Sequence, residues 1–300
     1  MRIKITICLL FIVTLFSCEK DFVVQDQLKA KKLVVNSLFS PFSKIQVFVT
    51  QSSSPSNPNG IIAVSTAAID LYENDVFKEK LVYTPSDSLA TFGYYKSLHK
   101  PTAGKKYSIK IQEASYGELS AEDSLPAATP IISSKLLADT YAPDMSIIST
   151  AEMNFKDEAS LENFYELIIS YQMKSNHVDS LGNKKIKSYY YQPYLTETNK
   201  LTESFNLNGY FFSDKGFDGQ QQKITVTYKG APIAQDYDSI QLYIQLHSVS
   251  KTNYEYHRTL HIYQSINTAN DDPEAVFSNI KNGYGIFAGD NWQTEIIKIK

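Results

Sequence analysis

The stretch Lys106-Tyr-Ser-Ile-Lys-Ile-Gln112 decides the fold class, because Tyr107, Ile109 and Ile111 alternate with polar residues. A period of two places the apolar side chains on one face of a β-strand and the polar ones on the other. Further short strands of this kind, separated by turn signals, follow one another on either side of it. About seven strands in about a hundred residues predict an immunoglobulin-like β-sandwich over residues 32–126.

The second part of the chain carries longer strands. Pro126 and Pro130 interrupt the first pattern, and we place a domain boundary there because proline lacks the N–H that a ladder needs. Residues 164–171, 224–228 and 240–247 then alternate between apolar and polar side chains. Such strands bury one face, so residues 131–300 are predicted to form a larger antiparallel β domain.

One segment, near 252–267, repeats at the spacing of a helix instead. One of its faces carries Tyr256, Leu260, Tyr263 and Asn267, and another carries Asn253, His257, His261 and Gln264. We therefore expect one amphipathic helix packed on the β domain, in a chain that is otherwise mostly β.

The first residues form a targeting segment. Arg2 and Lys4 precede an apolar run over residues 5–16, which is shorter than the about 20 residues that span a bilayer. This pattern predicts a signal peptide over residues 1–17. Its end, Leu15-Phe-Ser-Cys18, resembles a bacterial lipobox, although Phe16 is bulkier than usual. An ordinary secretory signal with a chance cysteine is the alternative.

Cleavage before Cys18 would leave a lipidated tether over residues 18–31 and remove Cys8, so the mature chain could form no disulfide. The loss of Arg2 and Lys4 changes the formal net charge from −3 to −5. Acyl chains on Cys18 would hold the protein on a membrane, whereas the absence of a basic field gives no reason to expect nucleic acid. The charged residues after Cys18 look like a surface-export signal, or else form a solvated tether.

Four passages together resemble a family of Bacteroidota lipoproteins that carry domain of unknown function 4249. The passages are Cys18-Glu-Lys-Asp followed by Leu33-Val-Val-Asn-Ser-Leu38; Gly104-Lys-Lys-Tyr-Ser-Ile109 leading to Leu125-Pro126; Phe212-Ser-Asp-Lys-Gly-Phe-Asp-Gly219; and Val276-Phe-Ser-Asn-Ile-Lys-Asn-Gly-Tyr-Gly-Ile-Phe-Ala-Gly289. The last is the most specific, and the resemblance spans nearly the whole mature chain.

This resemblance implies a lipid-anchored, mostly β protein that faces the cell exterior from the outer membrane. Family members are often encoded beside TonB-dependent receptors, which implies a non-catalytic accessory or binding role in nutrient uptake, with a ligand that the sequence does not identify. A structural or adhesive surface lipoprotein that binds proteins or glycans is the alternative. The family supplies no catalytic residues and no cofactor.

Two imidazoles lie at positions i and i+4 of the expected helix, His257 and His261. This spacing can bind zinc, but metalloproteases of the H-E-x-x-H type need a glutamate where this chain has Arg258. Glu255 or Glu274 would have to approach in space to complete a metal site, as a divergent metal-dependent hydrolase requires. We expect a polar helix face and no metal.

The segment Asp214-Lys-Gly-Phe-Asp-Gly219 is similar to the start of a calcium loop. An EF-hand needs Asp or Asn at its third position and Glu at its twelfth, where this chain has Gly216 and Thr225. A turn into the strand near Ile224 is the expected structure. Calcium geometries that use Asp236 or Asp238 stay open.

The chain shows no nucleophile elbow, P-loop or dinucleotide fingerprint, so we expect no enzyme. Its compositional surplus is tyrosine, 21 residues. Several tyrosines are adjacent in sequence, and consecutive strand residues point to opposite faces, so these runs of tyrosine cannot be wholly buried. Exposed tyrosines suit contact surfaces. Tyrosine that merely fills both faces of a sheet is the alternative. The candidates are Tyr189, Tyr190, Tyr191 and Tyr194, with Tyr94 and Tyr95.

Overall fold

The computed structural model describes residues 31–53, 61–86, 92–137, 139–141, 147–178, 184–197, 201, 203–207, 209–230, 237–265 and 275–300. The signal peptide and Cys18 lie outside these residues. One compact unit comprises residues 32–52 and 61–300. A second takes in Met1–Lys31 and Ser53–Gly60, of which Lys31 and Ser53 are described.

The first half of the described chain forms nine strands: β1 (Leu33–Phe39), β2 (Gln46–Gln51), β3 (Ile62–Ala63), β4 (Ala68–Glu73), β5 (Val76–Lys80), β6 (Val82–Thr84), β7 (Tyr94–Lys96), β8 (Lys106–Glu113) and β9 (Gly117–Ser124). The expected strand over residues 106–112 is β8, and it buries Tyr107, Ile109 and Ile111 as its alternation predicts.

The second half adds β10 (Ile131–Leu136), β11 (Thr140–Tyr141), β12 (Ile147–Lys156), β13 (Phe164–Val178), β14 (Lys184–Tyr191), β15 (Leu195–Glu197), β16 (Phe205–Asn206), β17 (Tyr210–Ser213), β18 (Gln221–Lys229), β19 (Ser239–Val249), helix α1 (Lys251–Ser265) and β20 (Tyr284–Lys298). Within the described ranges this is a mostly β chain with one helix, and the predicted fold class is confirmed.

Three sheets organise these strands. The largest has the order β16-β17-β13-β19-β20-β1-β2-β7-β6, with β14 pairing β13 and β3 pairing β2. A five-stranded sheet, β10-β12-β18-β15 with β11 beside β12, and a four-stranded sheet, β5-β4-β8-β9, complete the fold. Among the strand pairs of the described residues, β1 and β20 run parallel and the others are antiparallel.

Two large apolar cores lie between these sheets. In one, Ile244 and Leu246 of the largest sheet pack with Ile224 and Val226 of the five-stranded sheet. In the other, residues of β1 and β2 pack with residues of β4 and β8, and Phe287 of β20 is buried among them. The division into residues 32–126 and 131–300 stays a prediction, and β20 is the strand that both segments share.

The N-terminus of helix α1 is capped by Ser250, which precedes the helix, and by Asp123 of β9. Ser250 Oγ accepts a hydrogen bond of 3.1 Å from the N–H of Asn253, as a helix N-cap does. The first turn of α1 has no acidic residue, but Asp123 of β9 bonds the side chains of Ser250 and Thr252. A carboxylate therefore stands at the positive end of the helix dipole. Its burial raises the pKa of Asp123.

The orientation of α1 corrects the sequence prediction. The face with Asn253 and His257 turns toward the sheet: Asn253 is buried, and the His257 ring stacks on Phe211. Tyr263, on the face expected to be apolar, is 51% exposed. The expected polar helix face is thus turned partly toward the sheet, because the His257 imidazole packs on Phe211 as a flat aromatic ring.

The β1–β20 pair depends on a glycine, which leads to a testable prediction. Gly285 has φ 104°, and a Cβ there would lie 2.1 Å from the carbonyl oxygen of Val35. We expect Gly285→Ala to lower the free energy of unfolding by more than the about 1–2 kcal/mol that positive φ alone costs an L-residue. Urea unfolding measures the loss.

Gly216→Ala is the matched control, since Gly216 has φ 101° and a Cβ there would meet nothing within 4 Å. The Gly216→Ala variant should lose only the part of the unfolding free energy that a positive φ costs an L-residue. Equal losses in the two variants would contradict the proposed role of close backbone approach.

Candidate functional site

Exposed tyrosines lie on both faces of β14 and in the loop that follows it. Tyr189 is 43% exposed, Tyr190 74% and Tyr194 68%. Tyr191 is half-buried, and its hydroxyl donates to the carbonyl oxygen of Lys229 over 3.2 Å. Three of the four candidate side chains thus present much of their surface to solvent.

Tyr190 is held by a row of polar groups that crosses three strands. It lies opposite Gln172 of β13, which lies opposite Gln241 of β19. Gln172 Nε2 donates to the Tyr190 hydroxyl over 2.7 Å, and the hydroxyl of Tyr243 lies 3.2 Å from Gln172 Oε1 and 3.1 Å from Gln241 Oε1. These bonds orient the Tyr190 ring, so it can meet a partner at little additional entropic cost.

The two tyrosines of β7 separate as strand neighbours do. Tyr94 is half-buried and its ring lies 5.5 Å from that of Phe48. Tyr95 is 2% exposed: its hydroxyl donates to the carbonyl oxygen of Val64 and accepts from the N–H of Ala67. Burial raises the pKa of Tyr95. Tyr95 is therefore a core residue, and its inclusion in a contact surface was wrong.

The two candidate metal-binding histidines serve as packing groups. The His257 Nδ1 atom lies 2.9 Å from the carbonyl oxygen of Asn253, and burial lowers the pKa of His257. The His261 ring stacks on Phe205 with a centroid distance of 5.5 Å. Within the described ranges no third acidic or histidine ligand joins them, and Glu274 lies outside those ranges.

We therefore expect a calorimetric zinc titration at neutral pH to give no heat that depends on these histidines. The comparison is between the chain and its His261→Ala variant, which leaves the hydrogen bond of His257 in place. One equivalent of zinc bound by the chain and lost in the variant would contradict this expectation.

A group of polar residues, of which His247 is buried and the others are half-buried, lies on the α1 side of the largest sheet. Glu166, His247 and Trp292 are direct neighbours across β13, β19 and β20. His247 Nδ1 lies 2.8 and 3.0 Å from the two carboxylate oxygens of Asp290, and its ring stacks on Trp292 at 4.8 Å. The buried Nε2 atom of His247 has no hydrogen-bond partner among the described residues. Sequence reasoning missed this group, although Glu166 stands out between Phe164 and Ile168.

The pKa of Glu166 is strongly raised by the position of its side chain. Burial raises its pKa to about 7, while nearby His247 opposes the shift and Asp290 adds to it. The backbone makes room for this side chain, since a Cβ on Gly209 would lie 2.4 Å from Glu166 Oε1. A carboxyl group that titrates near neutrality beside an imidazole can exchange protons, but neither group lines the large cleft described below.

The raised pKa of Glu166 predicts a pH-dependent stability. Below the unfolded pKa of about 4.3 both states are protonated, and between there and about 7 the folded state keeps a proton that the unfolded state has lost. The free energy of unfolding should therefore fall over this interval, by up to about 4 kcal/mol.

Glu166→Gln removes this titration, so the variant should be the more stable protein at pH 8 and nearly equal to the wild type at pH 4.5. Urea unfolding across pH measures the difference, with exposed Glu158→Gln as the control. A Glu166→Gln variant that follows the wild-type pH profile would contradict the assignment.

Three carboxylates meet beside the predicted Asp214–Gly219 turn. Asp157, Asp214 and Asp218 each offer an oxygen, and these atoms lie within 4.8 Å of one another. Asp214 and Asp218 also line an open cleft of about 580 Å³. Oxygen ligands of this kind suit Ca²⁺, so this is the described cluster that could hold a metal ion.

The hydrogen bonds of these three carboxylates also indicate a structural role, in which the cluster holds neighbouring loops together. Asp157 accepts from the N–H of Gly219 at 2.7 Å and from the hydroxyl of Tyr165 at 2.5 Å. Asp214 accepts from the N–H of Asn163, and burial, reinforced by the neighbouring acids, raises its pKa. Asp236 lies outside the described residues, and Asp238 instead accepts from the N–H of Asn176.

Comparison with known protein families identifies one family. The family model described as "Domain of unknown function (DUF4249)" matches residues 19–296. No curated protein matches the chain. In the part of the chain that the structure describes, no helix combines the length and the apolar character that a membrane crossing requires.

Proposed function

The chain belongs to the DUF4249 family, and from that premise we propose that it is a surface-exposed outer-membrane lipoprotein that serves as a non-catalytic binding component of a TonB-dependent nutrient-uptake system. Cys18 would carry the lipid anchor, and a receptor of that system would be the protein partner. The tyrosines of β14 and the adjoining loop would form the contact.

The anchor is supported by the sequence around the cysteine. The family match begins at residue 19, immediately after Cys18, so the signal segment precedes the family's domain as cleavage before Cys18 requires. The lipobox-like residues and the charged residues that follow Cys18 support lipidation and export to the cell surface.

The observation that carries the proposal is the position of the exposed tyrosines in the largest sheet. Near the start of β1, which follows the tether in sequence, Val34 pairs with Tyr284 of β20. The row that ends in Tyr190 reaches β20 at Lys298, 14 residues further along that strand. At about 3.3 Å per residue the two points are about 45 Å apart. The tyrosine surface thus lies at the far end of the sheet from β1, where a partner can reach it.

A binding role also fits the chemistry of the buried groups. His247 is 6% exposed and Asp290 is largely covered, while the open cleft of about 580 Å³ is lined by other residues. A catalytic base must reach its substrate within hydrogen-bond distance, and a buried imidazole beneath a helix does not. The contact between His247 and Asp290 therefore serves as a structural link between β19 and β20. A structural role for this pair supports a non-catalytic function.

Affinity purification from native outer membranes tests the partner. We expect the tagged full chain to recover a TonB-dependent receptor, and Tyr189→Ser/Tyr190→Ser to reduce the recovery by about tenfold, because central aromatic residues dominate contact energies. Tyr263→Ser and Tyr284→Ser are the controls, since these side chains are 51% and 46% exposed at other places.

Recovery of other surface proteins or glycans without a receptor would contradict the uptake role and favour the adhesive alternative. An equal loss in all the tyrosine variants would contradict the assignment of the contact to β14.

A further inference from the structure

A small cavity lies between the edge strands of two sheets. Strand β15 is an edge of the five-stranded sheet, and β16 is an edge of the largest sheet. Together with Tyr210, the first residue of β17, they line an open cavity of about 190 Å³. At about 30 Å³ for each water molecule, this volume corresponds to about six waters. The cavity can therefore hold one small molecule.

Two aromatic side chains line this cavity. Tyr194, which precedes β15, is 68% exposed, and its hydroxyl has no hydrogen-bond partner among the described residues. Phe205 of β16 is half-buried, and its ring is held by stacking on Phe211 at a centroid distance of 5.0 Å. The cavity thus offers an accessible aromatic ring and a fixed one to the apolar surface of a ligand.

Polar groups are placed beside these rings. Asn206 Nδ2 donates to the carbonyl oxygen of Leu195, which links β16 to β15. In the part of the chain that the structure describes, Asn206 Oδ1 and the hydroxyl of Thr196 make no hydrogen bond. One hydrogen bond therefore orients the Asn206 amide, while its oxygen and the Thr196 hydroxyl stay available to a ligand.

The inner part of the cavity contains a hydroxyl without a partner. Tyr210 is 3% exposed, and its buried hydroxyl makes no hydrogen bond within the described ranges. Such a group is unfavourable in a folded protein and is rare in native structures. The hydroxyl is closed to water in the free protein, so a side chain of the cavity wall must turn before a ligand reaches it, as side chains at binding sites commonly do.

These groups select the chemistry of the ligand. None of the seven lining residues carries a charge, so a phosphate, a carboxylate or a zwitterionic amino acid would lose hydration without gaining a counterion. A hydrocarbon would leave Asn206 Oδ1 and the Tyr210 hydroxyl unpaired. A neutral ring that carries several hydroxyls, and that presents C–H groups on its faces, satisfies both the polar and the aromatic groups.

We propose that this cavity binds one ring of a neutral sugar. The C–H groups of the sugar pack against Tyr194 and Phe205, and its hydroxyls bond Asn206 Oδ1, the Thr196 hydroxyl and the Tyr210 hydroxyl. This inference rests on the proposed function, because it names the class of nutrient that a binding component of an uptake system would hold.

A titration with neutral monosaccharides tests the site. The probes are D-glucose, D-galactose, D-mannose and N-acetyl-D-glucosamine, added to the full chain in a detergent without sugar groups, such as lauryldimethylamine oxide. We expect saturation-transfer NMR and calorimetry to show binding of at least one probe with a dissociation constant of about 1 mM or lower. Failure of every probe to bind up to about 10 mM would overturn the proposal.

Substitution of the exposed ring assigns the binding to this cavity. Tyr194→Ser should weaken the binding of the sugar by about tenfold, because it removes the accessible aromatic surface. Tyr263→Ser is the matched control, since Tyr263 is 51% exposed on α1 and does not line the cavity. Equal affinities of Tyr194→Ser and Tyr263→Ser would overturn the assignment to this cavity.

The unpartnered hydroxyl gives a readout that a structural role would not. Tyr210→Phe removes a buried hydroxyl that bonds nothing in the described chain, so its urea midpoint should equal or exceed that of the wild type. The same variant should bind the sugar about tenfold more weakly, because one hydrogen bond to the ligand is lost. Unchanged affinity would show that the ligand does not reach this hydroxyl and would overturn the proposed position of the sugar.

Charged probes test the class of ligand. L-Serine and inorganic phosphate should not bind, because no charged side chain lines the cavity. Binding of either probe that Tyr194→Ser weakens would overturn a neutral sugar as the ligand.

The sugar site and the uptake role fail separately. A receptor that co-purifies with the full chain, while none of the sugars binds, overturns the sugar site alone. Sugar binding that depends on Tyr194, without any recovered receptor, supports the site and overturns the uptake role.

Discussion

The parallel pairing of β1 with β20 is the interaction on which the rest of the structure depends. It runs from Val34 and Tyr284 to Phe39 and Gly289, and it joins the first strand of the described fold to the last. Phe287 completes the core of the first half, and residues 290–298 continue beside β19. Without this pair, the two cores would share no strand.

The same strand supports the helix. Gly289 accepts a hydrogen bond from the N–H of Ser250, donates its own N–H to Asp123, and lies 3.4 Å from Asn253 Nδ2. Asp123 also bonds the first turn of α1. One backbone position thus links β9, β20 and the helix cap. These hydrogen bonds stabilise the Asp123 carboxylate at a position where desolvation opposes its charge.

Local periodicity decided how much of this could be predicted from the sequence. The alternation of β8 and β19 identifies strands and their buried faces, because a period of two needs no knowledge of the partner. The pairing of Val35 with Gly285 joins residues far apart in the chain, which no local pattern reveals. The inward face of α1 was also missed, since His257 packs on Phe211 through its ring and hydropathy counts it as polar.

The tyrosine surplus has two physical origins that composition cannot separate. Tyr165, Tyr171 and Tyr228 are buried, and each hydroxyl has a polar partner, so these rings fill the core between sheets while their polar tips are satisfied. Tyr190 has a hydrogen-bonded hydroxyl as well, but its ring stays exposed on an edge strand. What distinguishes them is the neighbouring strand: a tyrosine under a second sheet stabilises the fold, and one on an uncovered edge is available to a partner.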